Sequence, residues 1–283
     1  MTDHLARQQS KARTFRSLHR SGEPLVLANA WDAVSARIVE EAGAAAVATT
    51  SAAVAWSLGT PDGDALDRDS ALARTARVVA AVDLPVTADI ESGFAADAEG
   101  VAETVRGVLA AGAVGINLED ALYGGPAPLR PVEEQAERIA AARGAADAGQ
   151  VPLFVNARTD VFLRAVGDPR DRLKEALARA EAFLEAGADG IFVPGVTDPG
   201  TVSELAAALG APLNVLAGPG APTVSELAAC GAARVSLGSG VARAAYTLVG
   251  RSVREVLTDG TYTELDGALG HEEVNALLEA RKP

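Results

Sequence analysis

Histidine, lysine and cysteine are scarce in this 283-residue chain: three, three and one, respectively. The histidines, His4, His19 and His271, fall in the terminal segments, so neither a three-histidine zinc site nor a central imidazole base is expected. The lysines, Lys11, Lys174 and Lys282, lie away from the end of any apolar run, which removes the Schiff-base aldolase with its desolvated lysine. No serine has a histidine placed to activate it, so a Ser-His-Asp hydrolase is set aside. Cys230 permits no internal disulfide, fits a reducing cytoplasm, and reads as a small buried apolar residue in a helical stretch, 224–231. Aromatics are only 4% against 48% apolar residues, so Ala, Val and Leu must do the packing. No apolar run reaches the 18 or more residues of a membrane span. Residues 1–22 are hydrophilic and Arg-rich without an apolar centre, unlike a secretory signal. Basic residues are outnumbered to a formal charge of −13. That disfavours nucleic acid or an anionic membrane as partner, but not a small anionic substrate held by a local arginine or metal.

What the chain does have is eight short apolar runs, at 25–31, 46–51, 85–91, 115–120, 153–159, 190–194, 212–217 and 234–238. Ala-rich, charge-flecked stretches with helical periodicity separate them, which predicts repeated β–α units. Eight units in under 300 residues predict an α/β fold, a (β/α)8 TIM barrel at 23–245 with its active site at the C-terminal strand ends. Residues 1–22 then read as a helical segment capping the barrel bottom. Residues 246–283 read as a helical tail, with patterns at 252–257 and 271–281 and a turn at Asp259-Gly260.

Residues two apart on a strand share a face. Thr87, Asp89 and Glu91 share one in the third run, Asn117 and Glu119 in the fourth, and Asn156, Arg158 and Asp160 in the fifth. Inward barrel positions are usually filled by Val, Ile or Leu, and unpaired polar groups there cost several kcal/mol. An ion-pair network with Arg158 between Asp89 and Glu119 would account for one strand. Three neighbouring strands with this pattern indicate a site, and one arginine cannot neutralise three or four carboxylates. An oxygen-rich set suits Mg2+, or Mn2+, with Asp89, Glu91 and Glu119 as candidate ligands. Such a metal polarises a carbonyl and stabilises an enolate, while Arg158 can hold an anionic group bidentately. The turns Gly218-Pro219-Gly220 and Gly238-Ser239-Gly240 after the last two runs are open to two readings, a phosphate loop or tight-turn geometry.

These residues resemble the isocitrate lyase/phosphoenolpyruvate mutase superfamily, over about residues 24–244. The resemblance is carried by Asn29-Ala30-Trp31-Asp32-Ala33, the following helix at 35–43, Thr49-Thr50-Ser51-Ala52-Ala53-Val54-Ala55 and Ser57-Leu58-Gly59-Thr60-Pro61-Asp62-Gly63. It continues in Ala88-Asp89-Ile90-Glu91-Ser92-Gly93-Phe94, Asn117-Leu118-Glu119-Asp120 and Ala157-Arg158-Thr159-Asp160. It implies an anionic 2-oxo acid, or its enol, bound to Mg2+ at the barrel mouth. Asp89 would be the nearest ligand, with Glu91 and Glu119 acting directly or through water, and Asp62 would join the metal-water network. Ser51 and the Ala52 N–H would hold the substrate carboxylate, and Trp31 would line the pocket. Arg158 would grip the leaving or migrating group, and Asn214 would add a polar contact. The final helices imply a homodimer or homotetramer.

Two departures narrow the expected activity. Glu91 stands where the family often has aspartate. The segment 121–132 carries neither lysine nor cysteine, whereas the isocitrate and methylisocitrate lyases place a catalytic cysteine there. Nor does a histidine follow the sixth run, as it does in the phosphonomutase and phosphonopyruvate hydrolase branch. The chain looks most like the cysteine-free, phosphonomutase-like branch, with Tyr123 and Arg130 as the only loop side chains able to donate a proton or bind an anion. The expected activity is Mg2+-dependent making or breaking of a C–C bond next to a 2-oxo carboxylate, through a metal-stabilised enolate. The alternatives are a phosphonate-acting mutase or hydrolase and a non-catalytic 2-oxo acid binder.

Overall fold

In a computed structural model, which describes residues 2–279, nine parallel strand segments form one sheet that curls into a nearly closed barrel. Residue 1 and residues 280–283, including Lys282 and the end of the expected 271–281 helix, lie outside the described residues. The strands are β1 Leu25–Leu27, β2 Asn29–Ala30, β3 Val47–Thr49, β4 Val86–Asp89, β5 Gly115–Glu119, β6 Phe154–Arg158, β7 Gly190–Phe192, β8 Leu213–Leu216 and β9 Arg234–Ser236. Nine arise from eight runs because the first run is split at Ala28. β1 pairs with β9, while β2 pairs with β3, so the split strand closes the barrel by serving a different neighbour on each side of the break. Asn29 stitches that seam: its side chain accepts from Leu237 N at 3.2 Å and donates to Thr49 O at 2.9 Å.

Helices alternate with the strands, and their starts are written in the sequence. Asp32, Asp67, Asp97, Asp198 and Thr223 are N-caps whose side chains accept the backbone N–H three residues on. The core is aliphatic, as the scarcity of aromatics requires, with Val105, Val108, Ile116, Leu118, Ile139 and Leu153 fully buried. Cys230 caps the helix Val224–Ala229 and is only half-buried, a correction to the buried reading.

The N-terminal helix Thr2–Ser17 closes the bottom of the barrel. Gln8 donates to the carbonyls of Leu109 (2.9 Å) and Ala113 (3.0 Å), and Phe15 is fully buried, edge-on to Phe154. His19 stacks on Phe154 at 3.9 Å and donates from Nδ1 to Phe15 O, leaving Nε2 buried without a partner. Burial first, and then the charge of Arg234, push its pKa down from 6.5 to about 3. A depressed histidine pKa means that protonation favours the unfolded chain, so this contribution to stability is present above pH 6.5 and lost as pH falls towards 3. Between pH 7 and pH 5, wild type is expected to lose about 2 kcal/mol more unfolding free energy than His19→Phe. Urea melts at the two pH values check this; parallel losses in both proteins would remove His19 from the account.

At the other end, a 19-residue helix, Gly240–Thr258, runs through the expected tail boundary at 245–246 and absorbs the short pattern at 252–257. It exposes Val249, Val253 and Leu257. The helix His271–Glu279 packs on Ala33–Glu41, where Arg37 Nε donates to Leu277 O at 2.7 Å. Among the described residues, no helix is long and apolar enough to cross a membrane.

Candidate active site

The C-terminal ends of β4, β5 and β6 bring Asp89, Glu119 and Arg158 to the barrel mouth, because alternation turns each of them inward. Arg158 is the hub. Its Nη1 lies 2.6 Å from Glu119 Oε2, and its Nε and Nη2 bind both oxygens of Asp160 at 2.6 and 2.9 Å. The expected partner Asp89 is replaced by Asp160, since the chain leaving β6 brings that carboxylate back onto the guanidinium. Three of the five guanidinium N–H groups are thereby engaged. Burial works against the charge on Arg158, but Glu119 and Asp160 raise its pKa well above the ordinary value.

The other oxygen of Glu119 accepts from Tyr123 Oη at 2.6 Å. Burial pushes the Glu119 carboxyl up, and Arg158 pulls it part of the way back. Tyr123 is held protonated, first by burial and then by the negative charge of Glu119. The loop that carries it folds back through an Ala121–Leu129 bridge, and Arg164 stacks over its ring at 4.5 Å. Gly63 makes room for the tyrosine: at φ +102°, a Cβ there would lie 2.8 Å from Tyr123 Cε1. Arg130, the second loop candidate, turns away from the mouth to pair with Glu134. That corrects the expectation that it could serve there.

Asp89 Oδ2 accepts from Ser51 Oγ (3.0 Å) and Ser51 N (3.2 Å), so the donors expected to hold a substrate carboxylate face Asp89 instead. Ala52 follows, buried, in the short helix Ser51–Ser57. Asp62, on the loop after β3, is near enough for Asp89 to raise its carboxyl, after the larger effect of desolvation. Glu91 does not continue the strand alternation. It lies beyond β4 at φ +50°, and its Oε2 accepts from Asp64 N, while Asp64 accepts from Ser92 N and Oγ. Its Oε1 is buried without a partner, and burial, then nearby acidic charge, push its pKa up to about 8.

Among the described residues, no three carboxylate, histidine or cysteine side chains form a ready-made metal cage. Mg2+ does not require one, because it usually takes one or two carboxylates and keeps several waters. The donor set fits such an ion: hard oxygens on Asp62, Asp89 and Glu91, one of them unpartnered, with the nearest arginine committed elsewhere.

Trp31 is half-buried against Val54, Ala55 and Leu66, with its ring 6.5 Å from Tyr246. Asn214 is buried on β8, where it accepts from Ser236 Oγ at 3.1 Å. Below the carboxylates lies a residue that the strand reading missed: Arg234, fully buried, donating to Ser236 (3.2 Å) and to Asn117 Oδ1 (3.3 Å). Its spacing of two from Ser236 was the available signal. Gly238 is explained by packing. Its φ is +53° and a Cβ would meet Leu216 Cδ1 at 2.9 Å, which favours the tight-turn reading.

The phosphoenolpyruvate phosphomutase family model matches residues 15–257. A Burkholderia cenocepacia structure provisionally called a lyase/mutase is 40% identical, covers 96% of each chain, and superposes with a TM-score of 0.89. A 2-methylisocitrate lyase of Escherichia coli is 32% identical over 209 residues, 72% of this chain and 69% of the relative. A phosphonopyruvate hydrolase solved with oxalate and Mg2+ is 28% identical, covers 95% of each chain, and has a TM-score of 0.82.

Proposed function

The chain belongs to the phosphoenolpyruvate phosphomutase family, within a superfamily of lyases and mutases, and from that premise we propose that it is a Mg2+-dependent carbon–carbon lyase. It would break or form a C–C bond next to a 2-oxo carboxylate, through an enolate. The observation that carries this reading is the row Tyr123–Glu119–Arg158–Asp160, in which a protonated loop tyrosine at the mouth meets a buried carboxylate.

Cleavage of a 2-hydroxy acid needs a base for the hydroxyl proton and an acid for the carbon that leaves with the bonding pair. Glu119 takes the hydroxyl proton, and the electron pair that the O–H bond leaves on oxygen closes the new carbonyl. The electron pair of the breaking C–C bond passes to the leaving carbon, which takes the Tyr123 proton. Glu119 then returns its proton across the 2.6 Å hydrogen bond to Tyr123, and both groups are restored. Arg158 keeps Glu119 oriented and leaves two N–H groups for the second anionic group of the substrate. Asp89, with Glu91, Glu119 and Asp62 directly or through water, would hold Mg2+ or Mn2+, which when bound would supply Lewis-acid stabilisation of developing oxyanion charge. Trp31, Ser51, Ala52 and Asn214 border the substrate side.

A P–C bond reading is favoured by the likeness to phosphonopyruvate hydrolase, and less by the site, where Arg158 is largely spent on Glu119 and Asp160. Presenting malate-type acids, oxaloacetate and phosphonopyruvate in parallel decides between them: preferred use of phosphonopyruvate overturns the lyase reading. Oxalate binding without turnover of any of the three would leave a binder. Tyr123→Phe is expected to lower kcat about a hundredfold with little change in KM, the low end for loss of a general acid. An unchanged kcat would remove Tyr123 from the reaction. The exposed apolar side chains Val249, Val253 and Leu257 suit a homodimer or homotetramer as the working assembly.

A further inference from the structure

Ten buried side-chain atoms lack a hydrogen-bond partner among the described residues, and five of them belong to Arg130, Gln135 and Arg138. These atoms are Nε of Arg130, Nε and Nη1 of Arg138, and both amide ends of Gln135. All three residues are more than nine-tenths buried, at 8%, 1% and 0% exposure. Arg130 and Arg138 meet at Ser92, next to Glu91 on the loop beyond β4. Arg138 Nη2 donates to the carbonyls of Ser92 (2.5 Å) and Ala95 (2.9 Å), while Arg130 Nη2 lies 3.5 Å from Ser92 Oγ. Gln135 sits three residues before Arg138 on the helix Val132–Ala148, hence on the same face.

Two guanidinium groups this close in the interior repel each other, and desolvation adds to the cost. The proximity is felt: burial and then Arg130 lower the pKa of Arg138 to about 10, which leaves it fully charged at neutral pH. Arg130 has a counter-charge in Glu134 at 2.6 Å. Arg138 has no ion-pair partner among the described residues. The acidic groups within its electrostatic reach are engaged elsewhere: Asp64 by Ser92, Asp97 as the cap on Gly100 N, and Glu134 by Arg130. A neutral partner would complete the hydrogen bonds and leave the repulsion. An acceptor with negative charge answers both.

We propose that Arg130, Gln135 and Arg138 form an internal binding site for a small monovalent anion of chloride size, enclosed behind the loop that carries Glu91 and Ser92. Enclosure excludes a phosphate or an organic acid, since the lining side chains present almost no surface to solvent. By tying Arg138 and Arg130 together, the anion steadies the Ser92 carbonyl and hydroxyl. Through the Ser92–Asp64 hydrogen bonds it also steadies the loop bearing Asp62. The site belongs to the scaffold and would exist whatever reaction the barrel mouth performs.

The test is thermal unfolding of the full chain without divalent cation, titrated with chloride against gluconate at constant ionic strength. A saturable rise in Tm with chloride is expected, because a ligand of the native state stabilises by mass action. Arg138→Gln should abolish it. Gln135→Met, the milder change if Arg138→Gln folds poorly, should weaken apparent chloride affinity at least about tenfold by removing one hydrogen bond to an ion. Bromide soaked into crystals should give an anomalous peak between the three side chains. Equal Tm in chloride and gluconate, or a chloride effect unchanged in Gln135→Met, overturns the proposal.

Discussion

Arg158→Met is expected to lower the unfolding free energy by about 3–5 kcal/mol at pH 7, the cost of removing one partner from a buried ion pair. Glu119 and Asp160 are 2% and 1% exposed, and both rely on this guanidinium. Without it, the burial that already raises the Glu119 carboxyl loses its main offset, and the folded-state pKa of Glu119 rises further. A raised carboxyl pKa means that the folded protein binds more protons, so the variant should regain stability relative to wild type as pH falls through that raised value. Denaturant melts at pH 7.5 and 5.5 are the measurement: the gap between the two proteins should narrow at the lower pH. A second variant separates structure from chemistry. Glu119→Gln keeps the shape of the side chain, its oxygen accepting from Arg158 and its NH2 donating to Tyr123 Oη, and should cost little stability while abolishing the base. If Arg158→Met unfolds at the wild-type midpoint at both pH values, the ion-pair account of the mouth is wrong.

How far the chain could be read follows from where strand alternation applies. Asp89, Glu119 and Arg158 lie within strands, so a period of two placed them correctly. Glu91 and Asp160 lie just beyond strand ends, where alternation no longer determines direction. Glu91 enters the left-handed region and reaches the loop after β3, while Asp160 folds back onto Arg158. Arg130 looked like a mouth residue because its loop was known and its direction was not; the Ala121–Leu129 bridge turns the chain back before it. The split of the first run at Ala28 was invisible, since it depends on which neighbours close the barrel. Arg234 escaped notice for a different reason. A charge at the start of an apolar run reads as a solvated strand end, whereas here it turns into the barrel, to Ser236 and Asn117, away from water. Local periodicity was thus sufficient for the strands, whereas loop direction and barrel closure are tertiary properties.

Asp89→Asn is expected to abolish metal dependence while leaving the fold at least as stable as wild type. The side chain accepts from Ser51 Oγ and N through Oδ2, and an amide oxygen can accept both in its place. What the substitution removes is a negative charge from a crowd that already raises the carboxyls of Asp62 and Glu91. With less like-charge repulsion, the cation-free variant should melt at or above the wild-type temperature. Oxalate is a mimic of the pyruvate enolate. Given with Mg2+ at about a hundred times its Kd, it should stabilise wild type by about 2.7 kcal/mol, or roughly 5–10 °C for a domain of this size. Asp89→Asn should show no Mg2+-dependent shift. Turnover should fall by about three orders of magnitude or more, since Lewis-acid stabilisation contributes several kcal/mol at 1.36 kcal/mol per decade. A Mg2+–oxalate shift that survives the substitution would transfer the metal to other ligands, with Glu119 then the first to test. The combination matters more than either loss alone. A residue kept for packing lowers both stability and activity when changed, whereas a carboxylate kept for binding a cation leaves a protein that is no less stable without the metal and no longer responds to it.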